Sequence, residues 1–408
     1  MKFSCKTPEL LQALQLVSRA ISSQQALPIL GNVLMEAEGK RCTVSATDLE
    51  LSIVTSFEVS IENEGAITVP AKAILNFAQY NSDSEVLLET NEGTQLKCTS
   101  RHSKTVLSGE SASEYPSITP IEKRSSFTLE AAPLLEALHL VTFASAKSSL
   151  RPVLSGVYLR TEKGKLILVA TDSYRLSEYA LPTTNSDEEL SCIIPVKVLE
   201  ELRTVLSIAR GEKEEETEEE ESGKKKRKKP SGVATVDVTM NNQQIELHVG
   251  QTRLLSRLIE GKFPDYEQII PKGEMTTVLL PARELTTAVK RMHYFAKEMN
   301  NNLTFSFGNG EAHISTPQTQ LGKDEATIGA EVNGKSGKIA LSSSYLLDFL
   351  GHNDGDQVEI KLLDSMHPAL FHLPGSDHFL HLIMPLRMQE EESQASSPVK
   401  TGKVVMAR

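Results

Sequence analysis

The chain has no tryptophan, an aromatic share of only 5% and four cysteines in 408 residues. Cys5, Cys42, Cys98 and Cys192 stand far apart with no CxxC pair, each in a strand-like context. That spacing argues against a disulfide scaffold or a thiolate metal site and reads as buried free thiols. No N-terminal apolar stretch has the form of a signal peptide, and no run approaches the ~20 apolar residues of a membrane span. The expectation is a cytoplasmic protein with no membrane partner. Catalytic signatures are missing too: no Gly-rich phosphate loop, no HExxH and no G-x-S-x-G at a strand-to-helix turn. The ten histidines show no ligand spacing. His378 and His381 are three apart, but in a strand reading they point to opposite faces. No metal, no cofactor and no catalytic residue is expected.

What the chain does have is one pattern written three times. KFSCKTPELLQALQLVSRAI opens at Lys2, SFTLEAAPLLEALHLVTFAS at Ser126 and TVLLPARELTTAVKRMHYFA at Thr277. Each reads as a short strand, a turn and a helix with apolar residues at helical spacing. Phe3 answers Phe127, Pro28 answers Pro152, Leu30 answers Leu154 and Asp48 answers Asp172, always with a shift of 124. A second strand–helix pair follows in each copy, at Ile67, Cys192 and Lys338, with Pro70 and Pro195 just ahead of the helices, where a missing N–H is harmless. The copies also close alike, Tyr115-Pro116 answering Phe263-Pro264. Three copies of one α+β domain follow, each with two helices and antiparallel strands. The domains fall at 1–123, 124–273 and 274–388.

The net charge of -11, from 43 basic and 54 acidic residues, taken alone argues against nucleic acid. Its distribution leaves two readings. Arg19, Lys72, Lys147, Arg151, Lys197, Arg203 and Lys290 lie on or beside the repeated helices. They are either solvated helix faces or one shared cationic surface. The run from Glu212 to Lys229 holds eight acids followed by six consecutive bases. It has no apolar area to offset its ordering, so 211–232 reads as a disordered insertion. The tail 389–408 is polar, aperiodic and expected to be disordered. Asp48 and Asp172 are the best catalytic carboxylates on paper. Each ends an apolar strand as Thr-Asp, where a short side chain caps backbone N–H groups, and duplication favours that structural reading.

MKFSCKTPELLQALQLVSRAI, ALPILGNVLMEAEG, TVSATDLELSI, VATDSYRLSEY, GKFPDYEQIIP and HLIMPLRM, in collinear order across residues 1–388, resemble the bacterial sliding clamps, the beta subunits of DNA polymerase III. The resemblance implies three tandem clamp domains per chain and a head-to-tail homodimer closed into a ring. It implies duplex DNA in the ring, held through phosphate electrostatics without sequence preference. Arg19, Lys72, Lys147, Arg151, Lys197, Arg203 and Lys290 are the DNA-facing candidates. The partners implied are the DNA polymerase III catalytic subunit, the clamp loader complex, and other polymerases and repair proteins that carry short peptide motifs. The activity implied is processivity without catalysis. A non-replicative paralogue with altered partner choice is the alternative.

The family's partner-peptide pocket lies between its second and third domains. Carried over by motif, one side holds Leu154, Thr171, Ser173, Tyr174, Arg175 and Leu176. Pro264 and Ile269 belong to the FPDY wall. Pro368, Leu382, Met384, Pro385, Leu386, Arg387 and Met388 make the other side. Read without the resemblance, these are core residues. Ser173-Tyr174 departs from the Gly-His common in the family. The dimer contact implied sets Val106 and Leu107 of one subunit against Tyr294 and Phe295 of the other, apolar and aromatic anchors suited to a permanent interface.

Overall fold

The computed structural model describes residues 1–22, 27–91, 94–122, 125–147, 150–182, 190–210 and 235–387. The charged insertion 211–232, Met388 and the tail 389–408 lie outside these residues. The chain divides into two compact units, Met1–Gln268 with Gly375–Leu382, and Ile269–Pro374 with the segment from Ile383.

The first unit contains the first two copies of the repeat. Strand Lys2–Lys6 runs into helix α1 (Thr7–Val17), and Gly65–Pro70 runs into α2 (Ala71–Gln79). Their counterparts are Ser125–Glu130 with α3 (Ala131–Val141), and Ser191–Pro195 with α4 (Val196–Ala209). Pro70 and Pro195 are the N-cap residues of α2 and α4, which accounts for their place in the sequence. The buried positions repeat as well. Leu10, Ala13, Leu14, Leu16 and Val17 of α1 match Leu134, Ala137, Leu138, Leu140 and Val141 of α3. Burying each such leucine stabilises the fold by ~2 kcal/mol, so the apolar stripe commits both helices to the same packing. α1 lies against α2, and α3 against α4.

Each copy makes two antiparallel sheets. In the first copy, Leu51–Glu58, Arg41–Thr47, Asn32–Glu38 and Gly65–Pro70 form one, and Ser60–Asn63, Lys2–Lys6, Glu85–Thr90, Gln95–Thr99 and Lys104–Ser108 form the other. In the second copy, Arg175–Pro182, Lys165–Thr171, Gly156–Glu162 and Ser191–Pro195 correspond to the first set, and Ser125–Glu130, Thr235–Met240, Gln244–Val249 and Thr252–Arg257 to the second. The two copies are joined by backbone pairing. The last strand of the second copy, Thr252–Arg257, lies antiparallel to Leu51–Glu58 of the first, with Leu254 opposite Ile53. One eight-stranded sheet results. On its other side the second copy receives the strand that begins at Phe379, beside Arg175–Pro182. His378 therefore lies in the turn before that strand, not within it as the sequence suggested. It is exposed, and its carbonyl accepts from the Ala180 N–H at 2.8 Å. His381 is fully buried, with Nδ1 2.7 Å from Ser177 Oγ.

The second unit repeats the plan. Thr276–Pro281 leads into α5 (Ala282–Ala296) and Gly337–Ser342 into α6 (Ser343–Leu350), and the two helices pack together. One sheet runs in the order Glu325–Gly329, Glu311–Ser315, Asn302–Gly308 and Gly337–Ser342. Leu285, Ala288, Val289 and Met292 face the core, as the corresponding residues of α3 do.

Gly156 shows how tightly the second copy is packed. A Cβ there would stand 2.6 Å from Ile193 Cγ2, 2.7 Å from the Ile194 carbonyl and 2.8 Å from Ile259 Cδ1. Gly156→Ala is expected to cost about 2 kcal/mol through overpacking, read as a lower urea midpoint.

Candidate functional site

The Thr-Asp motifs build matched turns. Asp48 Oδ1 accepts from the N–H groups of Glu50 and Leu51 at 3.1 and 2.8 Å, and Asp172 Oδ1 from those of Tyr174 and Arg175 at 2.9 and 3.0 Å. Thr47 and Thr171 hydroxyls donate to the carbonyls of Leu51 and Arg175, and accept from the N–H groups of Leu49 and Ser173. One oxygen of each carboxylate is thus committed to backbone donors, the turn-capping role the sequence suggested. The turn brings Leu49 and Ser173, again 124 apart, to φ values of 75° and 80°. A side chain is disfavoured in that left-handed region, which is why glycine suits the position.

In the first unit, Ser173 and Tyr174 project at the end of this turn, with Tyr174 61% exposed. Leu154, Thr171, Leu176 and Leu382 are buried. Arg175 is buried too. Its Nε donates to Asp172 Oδ2 at 3.1 Å, and its guanidinium carbon lies 5.6 Å from the Phe143 ring centroid, a cation–π arrangement. Pro264 is exposed on the loop that follows buried Phe263.

In the second unit, Met384, Pro385 and Leu386 are half-buried and Arg387 is exposed. The Leu386 N–H donates to the Ala340 carbonyl at 2.8 Å, and Asn302 Nδ2 donates to the Arg387 carbonyl at 3.3 Å. These bonds run the apolar segment along the sheet, its side chains half-buried. Ile269 is exposed, whereas Pro368 is buried.

The cationic candidates differ in environment. Lys72 on α2, Lys290 on α5, and Lys147 and Arg151 between α3 and the next strand are exposed, while Arg203 on α4 is half-buried. Two are neutralised within the first unit. Arg19, just after α1, is ion-paired with Glu201 of α4 and reaches Thr204 Oγ1 at 3.3 Å. Lys197 Nζ lies 2.7 Å from Asp48 Oδ2. Burial pushes the Asp48 carboxyl up, but the Lys197 ammonium and the N–H groups of Leu51 and Glu50 outweigh it and hold it below its usual range. Both contacts tie the first copy to α4 of the second, a pairing no local pattern in the sequence signals.

The dimer candidates flank edge strands. Lys104–Ser108 is the outermost strand of its sheet among the described residues, with Val106 48% exposed and Leu107 half-buried. In the second unit Glu325–Gly329 is likewise outermost, and α5 packs against it. Arg291 of α5 grips the start of that strand through Asp324, at 2.8 and 3.0 Å, and the Glu325 carbonyl at 3.1 Å. Tyr294 is 65% exposed and meets Phe295 edge-on at 5.7 Å. The turn Thr319–Gly322 lies against the Phe295 ring and exposes Leu321, a member of this apolar surface that the sequence reading missed.

A chain of three strand–helix copies, the first two joined through edge strands in one eight-stranded sheet, has the architecture of a DNA polymerase sliding clamp. The chain belongs to the DNA polymerase III beta subunit family: residues 1–119 match its N-terminal domain, 128–214 its central domain and 267–387 its C-terminal domain. It is 29% identical to the beta sliding clamp of Synechocystis sp., over 95% of this chain and 100% of that protein. It is 28% identical to the beta sliding clamp of Staphylococcus aureus, over 95% and 99%. The solved DNA polymerase sliding clamp of Pseudomonas aeruginosa superposes with a TM-score of 0.84 at 27% identity, covering 95% of this chain and 100% of that one. The sliding clamp of Bacillus subtilis gives 0.85 at 25% identity, with the same coverage.

The left-handed turn offers a direct check. Ser173→Gly removes a Cβ from a residue at φ 80° and is expected to stabilise the first unit by about 0.5–1 kcal/mol, seen as a higher unfolding midpoint.

Proposed function

We propose that two copies of this chain close into a ring around duplex DNA and tether the replicative polymerase for processive synthesis, with no catalytic step of their own. The observation that carries this reading is the pair of strands left over by the repeat. The last strand of the second copy pairs with Leu51–Glu58 of the first. The strand beginning at Phe379, the last of the third copy, lies beside Arg175–Pro182 of the second. By that rule one last strand, Lys104–Ser108, and one receiving strand, Glu325–Gly329, remain without such a partner among the described residues. Joining them between two copies satisfies their backbone groups and yields heterologous contacts that close after two chains. Val106, Leu107, Tyr294 and Phe295 then bury apolar area at each join.

Three domains per chain, bounded at 1–123, 124–273 and 274–388, make six in the ring. Their paired helices supply the inner surface, where Lys72, Lys147, Arg151 and Lys290 attract phosphates. Arg19, Lys197 and Arg203 add less, since the first two already face carboxylates. Such contacts are sequence-independent and salt-sensitive, which suits sliding, while closure of the ring supplies retention. Ser173, Tyr174 and Pro264 of the first unit, and Ile269 and Met384 to Arg387 of the second, are the candidates to contact short peptides of the DNA polymerase III catalytic subunit, the clamp loader complex and repair proteins. Met and Leu adapt to varied ligands. Cytoplasmic residence follows from these partners. Among the described residues, no helix is long and apolar enough to cross a membrane, and no cluster of His, Cys, Asp or Glu is placed to hold a metal ion.

Val106→Asp with Tyr294→Asp is expected to halve the solution mass, measured by light scattering; a monomeric wild type would refute the ring. Once loaded, the protein should stay on circular DNA and leave after linearisation. Equal loss from both forms would show that retention is not topological. Met384→Ala with Leu386→Ala is expected to weaken peptide binding by about 2–4 kcal/mol, read by fluorescence anisotropy, with the dimer mass unchanged.

A further inference from the structure

The loop Gly261–Gln268, which carries Pro264, is held by a network that neither the DNA surface nor the subunit contact uses. Tyr266 is buried. Its hydroxyl donates to Glu178 Oε2 in a short hydrogen bond and accepts from Arg160 Nη2 at 3.0 Å. The same Arg160 reaches Glu267 Oε1 at 2.7 Å and, through Nη1, Glu162 Oε2 at 2.6 Å. Its guanidinium carbon lies 5.7 Å from the Tyr266 ring centroid. On the other side of Pro264, Phe263 stacks on Tyr158 at 4.9 Å with the rings 12° from parallel. The loop is thus pinned at both ends, with Pro264 exposed between the pins.

The repeat shows that this network is no requirement of the domain. With the shift of 124, Glu178 and Arg160 fall on Val54 and Glu36 of the first copy. There the closing segment is held differently, by Tyr115, whose hydroxyl accepts from the Thr47 N–H and donates to the Asn32 carbonyl, both at 3.2 Å. The acid–phenol–guanidinium set is absent from those two positions of the first copy and present in the second, whose closing loop carries Pro264.

We propose that Arg160, Glu178 and Tyr266 are positioning residues for partner binding, fixing the Gly261–Gln268 loop so that Pro264 meets an incoming peptide in one geometry. The inference rests on the pocket reading above. Stability alone does not explain the carboxylate. Burial pushes the Glu178 carboxyl above its usual range, against the opposing pull of Tyr266 and Arg160. A raised folded-state value means that the ionised form costs stability at neutral and alkaline pH, a cost relieved only as pH falls through that value. The titratable and charged groups facing Glu178 are Arg160 and Glu162 from the strand Gly156–Glu162, and Tyr266 and Glu267 from the loop.

The test uses the full-length dimer and a fluorescein-labelled peptide from the DNA polymerase III catalytic subunit of the same organism, followed by anisotropy. Glu178→Gln and Tyr266→Phe should each weaken binding roughly tenfold, as expected for one charge-assisted hydrogen bond. The double variant should lose little more than either single one, because the residues act as a unit. Wild-type affinity should fall as pH drops from 8 to 5 and Glu178 takes up a proton, while Glu178→Gln stays flat. At pH 8 the unfolding midpoint of Glu178→Gln should be no lower than that of the wild type. Wild-type affinity and an unchanged pH profile in both variants would overturn the proposal. Leu386→Ala separates the two readings. If it weakens the peptide while the network variants do not, only the positioning role falls; if it too is without effect, the pocket reading falls and this one with it.

Discussion

Backbone pairing between edge strands sets the arrangement of the copies in this chain. A domain with two antiparallel sheets leaves strand ends whose N–H and C=O groups must find partners or water. Here the last strand of one copy lies against the receiving strand of another, as Thr252–Arg257 does against Leu51–Glu58. The join lengthens a sheet rather than merely touching surfaces, so it fixes register and direction together. Side chains reinforce it. Thr55 and Thr252 hydroxyls meet at 2.9 Å across the seam, and Arg19 and Lys197 bridge to carboxylates beside it.

From that constraint the copies can differ wherever the seam does not need them to agree. The leucine and alanine positions of α1 and α3 coincide because both helices cover the same kind of sheet. The closing segments diverge: Tyr115 of the first copy hydrogen-bonds to backbone, while Phe263 of the second stacks on Tyr158. The receiving turn is tight in the first two copies, where Asp48 and Asp172 cap it. In the third it becomes a longer excursion from Thr316 to Asp324, whose N–H donates to the Thr316 hydroxyl at 2.9 Å. That excursion carries Leu321 to the surface beside Phe295.

Much of the fold was legible in the residues. Apolar spacing placed the six α-helices of the described residues, the shift of 124 aligned the first two copies, and Thr-Asp at a strand end identified a capped turn. The candidate site was legible only in outline. Motif resemblance pointed to Ser173, Tyr174 and the segment from Met384, but it could not separate exposed positions from supporting ones. Leu176 and Leu382 are fully buried, and Arg175 is turned inward onto Asp172 and Phe143. Charge was read least well. Arg19 and Lys197 stand on helical segments in the sequence, and nothing near them announces that Glu201 and Asp48, from another copy, will claim them.

The triplication, the core-facing stripe of each helix and the chemistry of the turns are all present in the order of the residues. These depend on contacts within a few residues or on a periodic choice between apolar and polar, and both are written locally. Which strands pair between copies, which edges are left over, and how Tyr266 comes to sit between Glu178 and Arg160 emerge only in the folded chain. Those outcomes depend on backbone groups that every residue carries alike, and on side chains brought together from far along the chain, 106 positions apart for Arg160 and Tyr266 and 197 for Thr55 and Thr252.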